Sequence, residues 1–304
     1  MKKSIWKKKY VVCILALFCS ALWGIGFPLI KVGYEHMAIS QSDTYSKLLF
    51  AGVRFLFAGI FVTLINLKNR KKLNFTPKLG VGILSLALLQ TVLLNTFQYI
   101  GLSYANGNIS SVISQGNIFL VTFLSPLFFA HDRLTPKKII GATMGLLGIV
   151  VMNIKGFAGG VSMKGEGFVA IASVMMTMSF ILSKKLTAHS STGLVTGLHQ
   201  MIGGAMLTAI GLLGGGHLTL NCTPGMVTLA FLIFSGATAN LLFMILIKYN
   251  DISEVAIYKF ATPLFGVIFS FLLLGESFLS INNLIALVLV CTGIIIVSKK
   301  SIKN

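Results

Sequence analysis

Negative charge is what this chain has least of: seven Asp and Glu stand against 25 Lys and Arg, and charged residues of both signs make up only 11% of 304. A soluble domain carries about 25%, so a water-exposed globular fold is excluded. Cysteine supplies no framework either. Cys13, Cys19, Cys222 and Cys291 are scattered without the paired spacing of metal or redox sites, and no disulfide, metal or cofactor is expected. The sequence holds no His-Glu-x-x-His, no Gly-x-Ser-x-Gly, no phosphate loop and no carboxylate pair within an apolar run, which argues against an enzyme.

What is abundant is apolar length. Hydrophobic residues make up 55% of the chain, and one membrane span needs ~20 of them in a row. The apolar runs predict ten helices near residues 10–34, 44–67, 79–102, 107–130, 136–154, 166–186, 192–213, 224–247, 252–274 and 280–298. The start "MKKSIWKKK" resembles the head of a signal peptide, but the apolar run behind it persists to about Tyr34 and is read as the first span. The formal charge of +18 does not point to a nucleic-acid partner, because the basic residues sit in short breaks between spans. Nineteen of them share a side with the amino terminus, four (Lys31, Lys47, Lys155, Lys164) fall on the other side, and Arg54 and Lys259 lie within helices. The positive-inside rule therefore predicts a multi-pass protein of the cell membrane with both termini in the cytoplasm.

A Gly-rich break, "KGFAGGVSMKGEG" at 155–167, divides the spans five and five. A shift of 145 residues lays Tyr104-Ala105-Asn106 on Tyr249-Asn250-Asp251 and Asn95 on Asn240. An odd number of spans in each half inverts the second half. The predicted fold is thus an all-α integral membrane protein of two inverted five-helix repeats, 10–154 and 166–298, with a substrate site near the midplane where they meet. Chance similarity between apolar helices is the competing explanation of the alignment.

Polar residues are not spread evenly over these helices. Thr91, Asn95 and Gln98 share one face of the third, with Gln90 beside them; Ser110, Ser114 and Asn117 share one face of the fourth, with Gln115 adjacent. The eighth carries Thr228, Ser235, Thr238 and Asn240, and the seventh His199 and Gln200. Such stripes either line a water-filled path or bond helices together at ~0.6 kcal/mol each. The Asn and Gln residues on the third and fourth helices favour a path. The fifth and tenth helices hold almost nothing polar and belong at the periphery. "GATMG" at 141–145 allows close helix contact, including with a second copy in a homodimer.

Lys259 is the one charge in the interior of the ninth helix, and a lysine in hydrocarbon is unfavourable by about 3 kcal/mol. Pro263, four residues later, has no amide hydrogen and leaves the Lys259 carbonyl without its helical partner. A cation and a free acceptor then coincide, with Tyr258 and Thr262 beside them, as in a broken-helix binding point. The alternative is snorkelling toward the headgroups, since Lys259 lies ~10 Å along the helix from Ile252. Pro28 similarly frees the carbonyl of Gly24 within "WGIGFP", next to Trp23. The two prolines are read as hinges, Arg54 as a structural cation bonding carbonyls or Glu35, and His199 as either a proton relay or a structural residue.

Four stretches carry a resemblance: "ALWGIGFPLIKVG" (21–33), "VRFLFAG" (53–59), "DRLTPKKIIGATMGLLGIVVM" (132–152) and "ISEVAIYKFATPLFGVIFSFLLLGE" (252–276). In order and duplication they resemble the tandem EamA repeats of the drug/metabolite transporter superfamily, over almost the whole chain. The resemblance implies ten helices, with the first four of each half around a central path and the fifth and tenth outside it. It also implies secondary transport, usually efflux, of amino acids or other small metabolites. The family often shows a proline thirteen residues before a Gly-Glu pair in both halves. Pro263 with Gly275-Glu276 fits, whereas the first half has Phe119 and His131-Asp132. The expected function is export of a small metabolite, amino acid or drug-like compound across the bilayer by alternating access. The alternatives are a carrier or flippase for a phosphorylated or lipid-linked anion, and a membrane assembly or sensor protein that transports nothing.

Overall fold

The computed structural model describes residues 5–40, 42–67, 76–105, 107–154, 162–219, 223–275 and 280–298. Glu276, Cys222, Lys155 and most of the Gly-rich break lie outside them, as do the basic residues at positions 2–3, 68–72 and 299–303. Among the described residues ten long helices follow one another. We number them α1 (Lys9–His36), α2 (Thr44–Asn66), α3 (Pro77–Leu86, Ala87–Leu93 and Leu94–Tyr104 end to end), α4 (Gly107–Phe128) and α5 (Pro136–Asn153). The second half holds α6 (Met163–Ala188), α7 (Thr192–Leu213), α8 (Thr223–Tyr249), α9 (Ile252–Leu274) and α10 (Ile281–Ser298). Nine are long and apolar enough to cross a membrane; α5 carries Lys137 and Lys138 in its first turn.

Local chemistry sets the helix starts. Thr76 and Thr135 accept from the backbone N–H groups of Leu79 and Lys138, and a proline follows each at the first helical position, where its missing donor is not needed. Four helices are irregular, α6 in a π-helical first turn, Met163–Gly167. In α1 the chain breaks at Ile25, three residues before Pro28. In α9 it tightens into a 3₁₀ turn, Ile257–Phe260, ahead of Pro263. In α3 a π-helical turn, Ala87–Leu93, interrupts the α-helix. The kinks of α1 and α9 meet, because Gly24 lets α1 approach until a Cβ there would lie 2.6 Å from Phe265 Cβ and 2.9 Å from the Thr262 carbonyl.

The two tightest packings join counterpart helices of the two halves. The largest contact is α2 on α7, and the next is α5 on α10. Glycines set the approach in both: a side chain at Gly211 would meet Leu49 backbone at 2.7 Å, and Gly293 lies against the Gly141 carbonyl. α1 packs on α8 and α9, as α6 packs on α3 and α4, which is the pattern of a pseudo-twofold. The "GATMG" face is taken by α10 and the Phe260 ring within the same chain, so a second copy would have to use another surface.

Contacts at the helix ends separate two faces of the bundle. Lys9 Nζ donates to the Ser298 carbonyl, Asn250 to the Trp6 carbonyl and Lys248 to the Ser190 carbonyl, so the first and last described turns share a face with the α4–α5, α6–α7 and α8–α9 connections. We call it the terminal face. On the opposite face His217 N–H donates to Ser46 Oγ, and Gly165 abuts Ala105. This grouping is the one the charge census requires.

Candidate functional site

A cavity of about 920 Å³ lies between the halves. From the middle of the bundle it extends to the opposite face, where Lys47, Ser111, Asn153 and Asn283 line it. Nothing from the terminal end of any helix reaches it.

Every polar stripe read from the sequence contributes. Thr91, Asn95 and Gln98 line the cavity from α3, Ser114 and Gln115 from α4, His199 from α7 and Asn240 from α8. The π-helical turn carries Gln90 and Thr91 to the cavity wall. Gln98 Nε2 donates to Ser114 Oγ at 3.3 Å, and Asn95 Nδ2 to the Thr91 carbonyl at 2.7 Å. Helices are bonded together here as well: the Gln98–Ser114 bond ties α3 to α4, and Ser173 and Thr177 of α6 donate to the Ile113 and Asn117 carbonyls of α4.

Seven further lining groups are left open. Gln90 Oε1, Ser110 Oγ, Gln115 Oε1 and Asn117 Oδ1 are buried without a protein partner, as are His199 Nε2, Gln200 Oε1 and Thr262 Oγ1. All seven residues line the cavity. Buried polar groups are otherwise almost always bonded, so this concentration marks a space built for water or a polar solute. His199 Nδ1 donates to the Val195 carbonyl at 3.0 Å, which leaves Nε2 as an acceptor when the ring is neutral.

Lys259 forms the floor. It is 8% exposed, turned into the bundle and away from the headgroups, and its Nζ lies 5.2 Å from the Trp23 ring centre, 4.8 Å from Phe180 and 5.8 Å from Phe243. Three aromatic faces from α1, α6 and α8 hold the ammonium by cation–π attraction, which leaves its charge unneutralised. Thr262 and Pro263 line the cavity beside it. One expected residue does not. Tyr258 points to the terminal face, its hydroxyl 2.6 Å from Ser298 Oγ, because one residue's step along a helix turns a side chain about 100° away from its neighbour. Pro28, read as a hinge, is buried in α1. Arg54 faces the cavity from α2 with its guanidinium 4.8 Å from the Phe55 ring; the expected contact with Glu35 does not form among the described residues.

Sequence reasoning missed Phe180 and Phe243, which carry no signal that separates them from lipid-facing phenylalanines. It also missed the closure of the terminal face. Asp132, fully buried before α5, accepts from Lys138 Nζ at 2.7 Å and from the hydroxyl of Ser253 on α9. Lys138 also reaches Asp251 at 2.9 Å. Burial alone would raise the Asp132 carboxyl; the bonds from Lys138 and Ser253 and the lysine's charge overcome it and hold it below the ordinary carboxylate range. Ser20 of α1 donates to the Tyr258 carbonyl, so both halves are tied at this end.

The profile of the EamA-like transporter family matches residues 11–154 and again 163–299. The chain is 28% identical to an uncharacterized transporter, YvbV, of Bacillus subtilis, over 95% of this chain and 92% of that one. It is 27% identical to a probable amino-acid metabolite efflux pump of Salmonella typhimurium, over 93% of each. An S-adenosylmethionine/S-adenosylhomocysteine transporter of Chlamydia muridarum is 26% identical over 88% of this chain and 86% of its own. A crystal structure superposes with a TM-score of 0.78 at 18% identity, over 95% of this chain and 96% of that chain, which shows a common fold.

Proposed function

We propose an export cycle for this chain, which belongs to the EamA-like transporter family and is a secondary transporter of small metabolites. The halves 10–154 and 166–298 rock against each other about the α2–α7 and α5–α10 contacts, exposing the cavity to one face at a time. By the positive-inside rule the terminal face is cytoplasmic and both termini lie inside the cell membrane, so the conformation described is open to the outside. The cargo is a small polar metabolite of the kind an amino-acid metabolite efflux pump would carry. It rests on Lys259 and is bonded by Asn95, Gln98, Gln115, His199, Asn240 and Thr262, while Pro28 and Pro263 let α1 and α9 bend. No chemical conversion of the cargo is proposed.

The carrying observation is the cavity itself: it lies between the halves, collects unpaired polar groups, and is shut at one end by the Asp132–Lys138–Asp251 pairing. The test is counterflow in proteoliposomes of purified protein against a panel of labelled amino acids and related metabolites, with inside-out vesicles giving the direction. Saturable exchange that disappears in Lys259→Met supports the reading. A purified protein that exchanges nothing in the panel would favour a non-transporting assembly or sensor role.

A further inference from the structure

The residues that line the cavity include three formal cations, Lys47, Arg54 and Lys259, and not one carboxylate. The described carboxylates lie elsewhere. Asp43 caps α2 by accepting from Ser46 N–H, Asp132 and Asp251 hold Lys138, and Glu35, Glu166 and Glu254 do not line the cavity. A mid-membrane lysine is ordinarily neutralised by an acidic partner; Lys259 has aromatic faces instead. Those rings stabilise the ammonium without cancelling its field, and a cavity with low-dielectric walls focuses such a field on whatever enters. A cationic solute would meet repulsion from the floor and the wall, and among the described residues no carboxylate lines the cavity to offset it.

The unpaired groups add a second requirement. Gln115 Oε1, Asn117 Oδ1, Gln200 Oε1 and His199 Nε2 are acceptors, which call for donors on the solute. An ammonium would supply donors at the expense of repulsion, whereas hydroxyls supply them without charge.

We propose that the cargo is a small hydroxylated organic anion, with its carboxylate or phosphate on Lys259 and its hydroxyls on the acceptors of α4 and α7. The proposal rests on the transport reading for the cavity's purpose, but it is tested by binding. Trp6 and Trp23 are the two tryptophans of the chain, and Trp23 stands over the Lys259 ammonium. In a Trp6→Phe background, Trp23 emission is therefore a reporter of the floor. The probes form a matched series: D-gluconate and D-glucose 6-phosphate as carboxylate and phosphate, D-glucose as the neutral form, and D-glucosamine as the cation.

At least one of the two anions is expected to bind at least tenfold more tightly than glucose, with glucosamine weaker than glucose. Lys259→Met should remove that tenfold preference, and Lys259→Arg should keep it. Gluconate and glucose 6-phosphate distinguish the two anionic groups. Equal or tighter binding of glucose or glucosamine, an anion preference that survives Lys259→Met, or no response to either anion overturns the proposal. Counterflow of the same probes separates it from the transport reading. Anion binding without flux sinks transport and leaves the site standing, whereas flux of glucosamine but of neither anion keeps transport and sinks the anion.

Discussion

Two lysines in this molecule are almost equally buried, Lys259 at 8% and Lys138 at 3% exposure, and the same substitution should affect them in opposite ways. Lys138 sits between two carboxylates, so Lys138→Met leaves Asp132 buried and unpaired at about 3–5 kcal/mol; thermal unfolding in detergent should fall by roughly 5 °C or more. Lys259 has no acidic partner to strand. Its cation–π attraction of about 2 kcal/mol only partly offsets a desolvation of about 3 kcal/mol, so Lys259→Met should unfold at the same temperature or higher while losing at least tenfold in flux. Asp132 also fixes a pH window. Its folded carboxyl lies below the ordinary range, so the stability it contributes is complete above about pH 4 and disappears as pH falls through the lower folded value; terminal-face closure should then be constant from about pH 5 to about pH 8. Lys259 was legible in the sequence because a charge in an apolar run has to be explained. Its aromatic cage was not, since Phe180 and Phe243 differ from other phenylalanines only in what folding brings near them.

At the scale of the element, apolar periodicity and flanking charge gave all ten helices within a few residues of the observed ends, from Thr192–Leu213 and Ile252–Leu274 without error to α6, which begins at Met163 and not at 166. Spanning length is a strong constraint, and the chain satisfies it visibly. The π-helical turn of α3 left no such trace: "ALLQTVL" reads as an ordinary α-helix, and its one extra residue per turn is a product of packing. Deleting Leu89 should close that turn to α-helix with the flanking segments still in phase, removing the bulge that carries Gln90 and Thr91 to the cavity wall. Counterflow is expected to vanish while expression and unfolding temperature change little, and full transport by the deletion would show that the turn does not position the lining. The α1–α9 crossing answers to size. Gly24→Val would drive a side chain into Phe265 and the Thr262 carbonyl, with an expected loss of about 1–3 kcal/mol, read as a lower unfolding temperature.

For the whole molecule, the charge census separated the two faces and the repeat predicted two inverted halves, but neither could reveal that the two ends are closed unequally. Asp132 and Asp251 are far apart in the chain, and Tyr104-Ala105-Asn106, which aligns with Tyr249-Asn250-Asp251, puts alanine and asparagine where the terminal face has its asparagine and aspartate. The repeat is therefore symmetric in its helices and asymmetric in its latch. That asymmetry biases the resting population. If breaking the Asp132 pairings removes ~3 kcal/mol from the state closed at the terminal face alone, the ratio of the two conformations shifts about a hundredfold toward the one open there. The measurement is thiol labelling at the cavity floor, with Cys13, Cys19, Cys222 and Cys291 replaced by serine and Lys259→Cys as the reporter. An impermeant maleimide should reach position 259 only from the opposite face when the latch is intact, and from the terminal face as well once Asp132→Asn and Ser253→Ala are added. Labelling from the terminal face at equal rates with and without the latch would mean that closure there comes from the packing of α1, α4 and α9, and that Asp132 and Lys138 serve stability alone.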